Sequence, residues 1–286
     1  VSALNHWSIK KHRLPLISEV VKRAIKGAER GKRPVKLTKL IQPHHLRLFV
    51  TWLNDLAAGS TKESIKWRIA TVVAMIVLAF SLMLRISEYT FNKQANRSLK
   101  LSDLTFFDEQ NRVIPVKSVS RSGGAKVAGI DILIRSSKTD QEACGTTRTV
   151  FRDRNMGSFC AVSHMVEVVS RLNAEHVPIS SHVFLTSPPR NRVGKPYTAR
   201  RFREHYKQLV KQYGSDALQG TTPHSLRVAG ATALFNSGES IDMVKVVGRW
   251  SENSTAVRGY RGISRDKFAD LASRMWKLEE GTYFRQ

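Results

Sequence analysis

The chain has 286 residues, 41% of them apolar, with 47 Lys and Arg against 23 Asp and Glu, a formal net charge of +24. This length and apolar content can bury one large core or two modest ones. The charge far exceeds the roughly 2–8 that keeps a small domain soluble. It therefore favours a polyanion as the partner, with nucleic acid ahead of an acidic membrane.

Cysteine and histidine usage indicates neither a disulfide framework nor a metal site. The two cysteines, Cys144 and Cys160, are too few for such a framework, and we expect reduced thiols in an intracellular protein. His44 and His45 are adjacent, so they cannot share one helix face as metal ligands do. We recognise no signal peptide. Because the chain begins with Val1 rather than Met, we expect it to be a fragment.

Residues 1–42 are predicted to form a basic helical segment followed by a linker. They hold eleven Lys and Arg against two Glu, a net charge of +9. Their apolar residues recur at helical spacing, and the pattern stops at Gly31 and Pro34, as a helix does. A second domain is predicted over residues 43–286, with "HHLRLFVTWLNDLAAGS" in its first helix.

The most apolar run, "IATVVAMIVLAFSLML" from Ile69 to Leu84, is predicted to be a helix buried on all sides in a soluble domain. It is shorter than the ~20 residues that a membrane helix needs. Arg68 and Arg85 close the run at its two ends.

The later sequence predicts a mainly α fold with a small antiparallel β-sheet, an α+β architecture. "LKLSDLTFF" alternates like a strand, and "AGIDILIRSSKTDQEACGTTRTVFR" is typical of two strands joined by a polar turn. The stretch between them, from Asp108 to Lys126, is predicted to be irregular. Helices are predicted at "FCAVSHMVEVVSRLNAEH", "TARRFREHYKQLVKQYG" and "TTPHSLRVAGATALFNSG".

The last of these helices carries the first candidate site. Thr222 can cap it, and Pro223 suits its first turn. His224 and Arg227 are three residues apart, so they share a face in the turn where free N–H groups and the helix dipole favour an anion. An H-x-x-R pair is also common on ordinary surfaces, so a phosphate site and a surface pair both stay open.

Four other positions each have a catalytic and a structural interpretation. Arg85 can complement a helix dipole, or present its N–H donors to a phosphate with Glu88 orienting it. Lys138, at the predicted hairpin tip, is either a solvated turn lysine or a mobile proton donor in a DNA groove. Trp250 is a core residue or an indole N–H donor. Tyr260, in "VRGYRG", fills space or attacks a phosphate.

The order and spacing of these residues resemble those of the tyrosine recombinase (phage integrase) family, over about residues 16–280. The family orders its active site as Arg, Lys, His-x-x-Arg, His or Trp, then Tyr, which matches Arg85, Lys138, His224, Arg227, Trp250 and Tyr260. Trp250 stands where most members have a second histidine, the segment before the hairpin is long, and the N-terminal clamp shows one clear helix. The phrase "HSLRVAGATALFNSGESIDMVKVVGRWS" is similar to recombinases of eukaryotic mobile elements of the Crypton or DIRS kind.

The resemblance implies a tyrosine recombinase catalytic domain preceded by a truncated helical core-binding segment. It also implies a DNA strand transferase that uses no metal, ATP or other cofactor. Tyr260 would form a 3′-phosphotyrosyl bond and release a 5′-hydroxyl, and strand exchange would pass through a Holliday junction. The implied roles of the other residues are phosphate neutralisation by Arg85 and Arg227, proton handling by His224 and Lys138, a phosphate hydrogen bond from Trp250, and bracing by Glu88.

Duplex DNA is the implied partner, held in a C-shaped clamp. The predicted DNA contacts are Lys22, Arg23, Lys26, Arg200, Arg201, Arg203 and Lys207. "ISRDKFADLASRMWKLEEG", after Tyr260, is predicted to be an amphipathic helix. In the family such a tail docks on a neighbouring protomer of a homo-tetramer, and packing within its own chain is the alternative. The expected location is intracellular, nuclear for a eukaryotic mobile element and otherwise in the cytoplasm or nucleoid.

Two other functions use similar residues. A type IB topoisomerase relaxes supercoils as a monomer with nearly the same active site, but the recombinase-like "LRISE" box and the short tail after Tyr260 argue against it. The other is a recombinase-derived DNA-binding protein without catalysis. A binder has no need to keep Arg85, Lys138, Arg227 and Tyr260 together with His224.

Overall fold

The computed structural model describes residues 41–92, 98–135 and 145–250, all within one compact unit that spans Lys39–Gln286. The predicted N-terminal helix, hairpin tip and tail helix lie outside these residues. The domain boundary between residues 42 and 43 stays a prediction.

The described ranges are mainly helical with one small antiparallel sheet, which confirms the predicted fold class. The helices are α1 (Pro43–Ala58), α2 (Glu63–Ser81), α3 (Ile86–Tyr89), α4 (Ala161–Ala174), α5 (Ala199–Tyr213), α6 (Pro223–Asn236) and α7 (Ile241–Gly248). The strands are β1 (Leu104–Phe107), β2 (Val113–Ile114), β3 (Gly129–Ile134) and β4 (Thr146–Phe151).

Helix α2 forms the centre of the core, and its burial confirms the prediction for the apolar run. Every residue from Val72 to Phe80 is at most 1% exposed. The helix is surrounded because α1, α4 and α6 all pack against it. By length and composition alone it could cross a membrane, yet 72% of its apolar window is buried inside the protein.

The sheet has the strand order β2-β1-β3-β4, with every neighbouring pair antiparallel. Strands β3 and β4 are the two arms of the predicted hairpin, in a register that pairs Ile130 with Val150. Strand β2 lies in the stretch predicted to be irregular. It has only two residues, too few for an alternating pattern to show in the sequence.

Helix α5 follows its sequence signals closely. The Thr198 side chain accepts a hydrogen bond from the N–H of Arg201 at its start, and Gly214 ends it with a φ of +77°. Phe202 and Tyr206 lie buried on one face, as the spacing predicted. The opposite face is exposed and basic.

A close approach between α6 and α2 prepares the candidate site. A Cβ at Gly230 would lie 2.3 Å from the carbonyl oxygen of Phe80. Only glycine therefore lets α6 pack this tightly on the last turn of α2. The contact brings the first turn of α6 towards the segment that follows α2.

Candidate active site

In the segment after α2, the main-chain carbonyls of Leu82 and Met83 accept hydrogen bonds from arginine side chains. Helix α2 ends at Ser81, and Met83 has a φ of +48°, a left-handed conformation that few non-glycine residues adopt. The expectation that Arg85 ends the buried helix was therefore wrong. Arg85 follows this turn and is the N-cap residue of α3. The turn directs the carbonyls of Leu82 and Met83 to arginine side chains from elsewhere in the chain.

Glu88 is the carboxylate at the centre of this region. Its side chain is 1% exposed. It accepts a hydrogen bond from Arg85 Nη1 at 3.1 Å, from the Arg85 main-chain N–H at 2.8 Å, and from Arg249 Nη2 at 2.6 Å. A buried carboxylate needs such partners, and here two guanidiniums share it.

Arg227 is the fifth residue of α6, one turn after Pro223, and is 2% exposed. Its Nη1 donates to the carbonyl of Met83, and its Nη2 donates to the carbonyl of Gly248. The guanidinium thus connects the turn after α2 with the end of α7. Burial, followed by the nearby Arg85 and Arg249 charges, lowers the pKa of Arg227 to about 9, which leaves the group charged at neutral pH.

His224 lies three residues before Arg227, at the exposed start of α6. Burial of the ring, then the charges of Arg227 and Arg85, lowers the pKa of His224 below its ordinary 6.5. The neutral imidazole is therefore the favoured form near pH 7. At the same helix start, the N–H of Thr222 donates to the Ser225 hydroxyl at 3.1 Å.

Trp250 covers the Arg227 guanidinium. The centre of the guanidinium lies 4.0 Å from the ring centroid, a cation–π geometry. The ring also packs on Gly248, where an added Cβ would lie 1.6 Å from Cζ3 of the indole. The indole of Trp250 therefore presents its face to the Arg227 guanidinium.

Two arginines of this region were missed by the sequence interpretation. Arg249 is 9% exposed and Arg148, on β4, is 4% exposed. Arg148 Nη2 donates to the carbonyl of Val246 at 3.1 Å. Burial and the Arg249 charge lower the pKa of Arg148 to about 10. Arg249 stands between Gly248 and the predicted site residue Trp250, so its position in the sequence could have marked it as a site residue. Nothing in the alternating pattern of β4 marks Arg148 in this way.

The charges of this region do not balance. Among the described residues, Arg148, Arg227 and Arg249 lie near other arginine charges, and Glu88 is the carboxylate whose charge acts on the pKa of each of them. Gathering cations with so little compensation is unfavourable without an anion. Arginine forks and a helix N-terminus together suit a phosphate group. Within the ranges that the structure describes, no group of three or more His, Cys, Asp or Glu is placed to hold a metal ion.

The remaining predicted residues are placed elsewhere or fall outside the described ranges. Lys138, Tyr260, Lys22, Arg23 and Lys26 lie outside them. The four predicted DNA contacts on α5 are exposed: Arg200, Arg201, Arg203 and Lys207. Arg200 Nε forms an ion pair with Glu204 at 2.8 Å.

Several solved structures are similar to this chain at low identity. XerH site-specific recombinase bound to difH substrate shows 15% identity and a TM-score of 0.46, with 85% of this chain and 56% of that chain covered. The integrase from mycobacterium phage Brujita shows 17% and 0.44, with 89% and 62% covered. The Tn1549 transposon integrase in complex with circular intermediate DNA shows 16% and 0.44, with 93% and 82% covered. The chain thus spans 56% and 62% of the first two proteins.

These structural similarities are too weak to carry an argument. A comparison with curated proteins finds no match. The sequence model of the phage integrase family, by contrast, matches residues 60–265, more than half of the chain. This match agrees with the resemblance in the order of the candidate catalytic residues, and the chain therefore belongs to the phage integrase family, the tyrosine recombinases.

Proposed function

We propose that this protein is a site-specific recombinase that cleaves and rejoins duplex DNA through a 3′-phosphotyrosyl intermediate and a Holliday junction. One observation carries the proposal: Arg85 and Arg249 share the buried carboxylate of Glu88, and Arg227 and Arg249 bond to the same carbonyl of Met83. This surplus of buried positive charge fits a phosphodiester. Membership of the integrase family supports the DNA backbone as its source.

The proposed cleavage step exchanges one phosphate ester for another. The phenol oxygen of Tyr260 forms a bond to phosphorus, and the bond from phosphorus to the 5′-oxygen breaks. The phenol proton leaves through His224, and Lys138 protonates the departing 5′-oxygen. Rejoining reverses the step with the 5′-hydroxyl of another strand. Because the phosphotyrosyl bond keeps the ester energy, no ATP or metal is required. The roles of Tyr260 and Lys138 rest on the sequence order.

The two arginines of the family pattern are proposed to stabilise the transition state. The attacked phosphate gains negative charge, and donors already fixed around it need no reorganisation. Arg227 uses two of its N–H donors on the carbonyls of Met83 and Gly248, and a guanidinium has five donors in all. The other three bond to no protein oxygen among the described residues, and we propose that phosphate oxygens accept from them. Loss of one such donor from an oxyanion site typically removes about 3–4 kcal/mol of stabilisation.

His224 and Trp250 are proposed to act differently from each other. The lowered pKa of His224 keeps its imidazole neutral near pH 7, so the ring can accept the Tyr260 proton. Trp250 presents its face to Arg227 at 4.0 Å. We therefore assign Trp250 chiefly to fixing the orientation of the Arg227 guanidinium. The phosphate hydrogen bond that the family implies would be a second role.

The DNA-binding surface is proposed to include the exposed basic face of α5. A two-residue turn just before α5 adds Arg190 and Arg192, both exposed. The chain has no Asp or Glu from residue 177 to residue 203, and the exposed acid that follows, Glu204, pairs with Arg200. With the basic N-terminal segment, α5 would complete a clamp. Assembly as a tetramer through the tail helix, and an intracellular location that is nuclear for a eukaryotic element, belong to the same proposal.

Covalent capture tests the proposed function. A library of nicked duplexes, in which the short fragment that carries the released 5′-hydroxyl diffuses away, should trap the wild-type chain on DNA and identify its site. Tyr260→Phe should bind the recovered site with the wild-type Kd but form no adduct. DNA binding by the wild type without any adduct would instead indicate a silent binder. Plasmid relaxation without strand exchange would indicate a topoisomerase.

A further inference from the structure

We propose that Arg249 is a positioning residue that holds the guanidiniums of Arg85 and Arg227 in register for a phosphate. The inference rests on the proposed function, because it assigns how the arginine cluster is kept in shape. Arg249 is 9% exposed, and its Nη1 and Nη2 make four hydrogen bonds to protein oxygens. Those nitrogens are therefore engaged in holding the fold around the cluster.

Arg249 contacts Arg85 in two ways. Its main-chain carbonyl accepts from Arg85 Nη2 at 3.2 Å. Its Nη2 donates to Glu88 Oε2 at 2.6 Å, while Glu88 Oε1 accepts from Arg85 Nη1 at 3.1 Å. The carboxylate is thus fixed from both sides. Without the Arg249 side chain, the Glu88 carboxylate keeps its two bonds from Arg85 but loses the bond that holds it from the other side, so the direction of the Arg85 fork is set less firmly.

Arg249 also reaches Arg227, through the carbonyl of Met83. Arg249 Nη2 donates to this oxygen at 3.3 Å, and Arg227 Nη1 donates to the same oxygen. Met83 has a φ of +48°, which a non-glycine residue keeps only where its surroundings hold it. Arg249 Nη1 adds a bond to the preceding carbonyl, that of Leu82, at 3.1 Å. The turn that orients Arg227 is therefore secured by Arg249.

The main chain at Arg249 reinforces the same geometry. The consecutive carbonyls of Gly248 and Arg249 accept from Arg227 and Arg85 respectively. Arg249 has a left-handed φ of +56°, which sets the direction of its own carbonyl. Among the residues that the structure describes, Arg249 alone bonds to both Glu88 and the Met83 carbonyl. A lysine cannot make the same set of bonds, because it has one nitrogen donor group where arginine has a planar fork of several.

The test compares Arg249→Met and Arg249→Lys with Arg152→Met. Arg152 is a suitable control because it is a half-buried arginine bonded to the carbonyls of Val127 and Gly124 and not to the cluster. Each full-length variant is first checked for a cooperative thermal transition and for its Kd on the DNA site captured with the wild type. Single-turnover adduct formation is then measured at saturating DNA, on a normal scissile phosphate and on a methylphosphonate, which lacks the negative charge.

We expect Arg249→Met to bind DNA but to form adduct about 10²-fold more slowly on phosphate, as a small misplacement of catalytic groups does. The ratio of the wild-type rate to the Arg249→Met rate should be smaller on methylphosphonate than on phosphate by about tenfold or more, because an uncharged phosphorus centre needs less neutralisation. Arg249→Lys should behave similarly. Arg152→Met should show the wild-type ratio between the two substrates.

A wild-type rate in Arg249→Met, or an unchanged ratio between the two substrates, would overturn the assignment. Should Arg249→Met fail to fold, Arg249→Lys carries the comparison. Should neither fold, Arg249 is a structural residue and the assignment fails. These results are distinct from failure of the proposed function, which would appear as a wild-type chain that forms no adduct.

Discussion

Replacing Gly248 with alanine probes how Trp250 is held on Arg227. A Cβ at position 248 would lie 1.6 Å from Cζ3 and 2.1 Å from Cε3 of the indole, so the ring has to leave its position. The ring lies 4.0 Å from the Arg227 guanidinium. Its displacement removes a cation–π contact worth about 2 kcal/mol at a desolvated site.

The sign of the stability change separates this effect from ordinary helix propensity. Gly248 is the last residue of α7, where alanine alone would stabilise the helix by up to about 1 kcal/mol. Overpacking costs about 1–3 kcal/mol. With the lost cation–π contact, we expect the free energy of unfolding to fall by about 2–4 kcal/mol. Gly59→Ala is the matched control, because its Cβ would meet only Asp55 O at 3.5 Å.

Urea unfolding followed by circular dichroism measures the change, and a double-mutant cycle assigns its cause. In a Trp250→Ala background the clash is absent, so adding Gly248→Ala should leave the free energy of unfolding equal or slightly higher. The packing of the indole on Gly248 would be refuted if Gly248→Ala lowered the free energy of unfolding equally with and without the indole. It would also be refuted if Gly248→Ala caused no such decrease in the wild-type background.

Four further outcomes are expected. Adduct formation should rise with pH through a pKa below 6.5 and then level off, since His224 must be neutral and its pKa is lowered; His224→Gln should lose this limb. For the same reason, protonating His224 should destabilise the fold as pH falls below about 6.5, with no effect of the shift above it. Arg201→Gln and Arg203→Gln should each reduce the slope of log K for duplex DNA against log salt by about 0.9, measured by fluorescence anisotropy; an unchanged slope would remove that residue from the interface. Sulfate, against chloride at equal ionic strength, should raise the melting temperature of the wild type more than that of Arg85→Ala, since ligand binding stabilises by RT ln(1 + [L]/Kd); equal rises would contradict an anion site.

Much of the fold was predictable because its signals are local. Helix α5 has a Thr cap, a terminal Gly and an amphipathic spacing, all visible in the sequence and all present in the structure. The two arms of the hairpin show strand patterns of six residues each. The proximity of His224 and Arg227, three residues apart near the start of α6, also follows from spacing alone.

The parts that escaped prediction depend on contacts between distant segments. Nothing near Met83 in the sequence shows that its carbonyl would accept from Arg227 and Arg249, residues far along the chain. Arg85 looked like a helix end because the apolar run continues to it, whereas the helix stops at Ser81. The stacking of Trp250 on Arg227 likewise depends on the tertiary fold. Propensity and periodicity report on neighbours along one element, so they could not register these links.

The decisive measurement is the single-turnover rate of adduct formation by Arg85→Ala, alongside its Kd for the captured DNA site. The Arg85 side chain is 20% exposed, and Glu88 keeps its ion pair with Arg249 without it, so the fold should survive its removal. If the arginine cluster stabilises the attacked phosphate, the rate should fall about 10²–10³-fold while the Kd changes little. A rate equal to that of the wild type, or a loss of DNA binding as large as the loss of rate, would contradict that role.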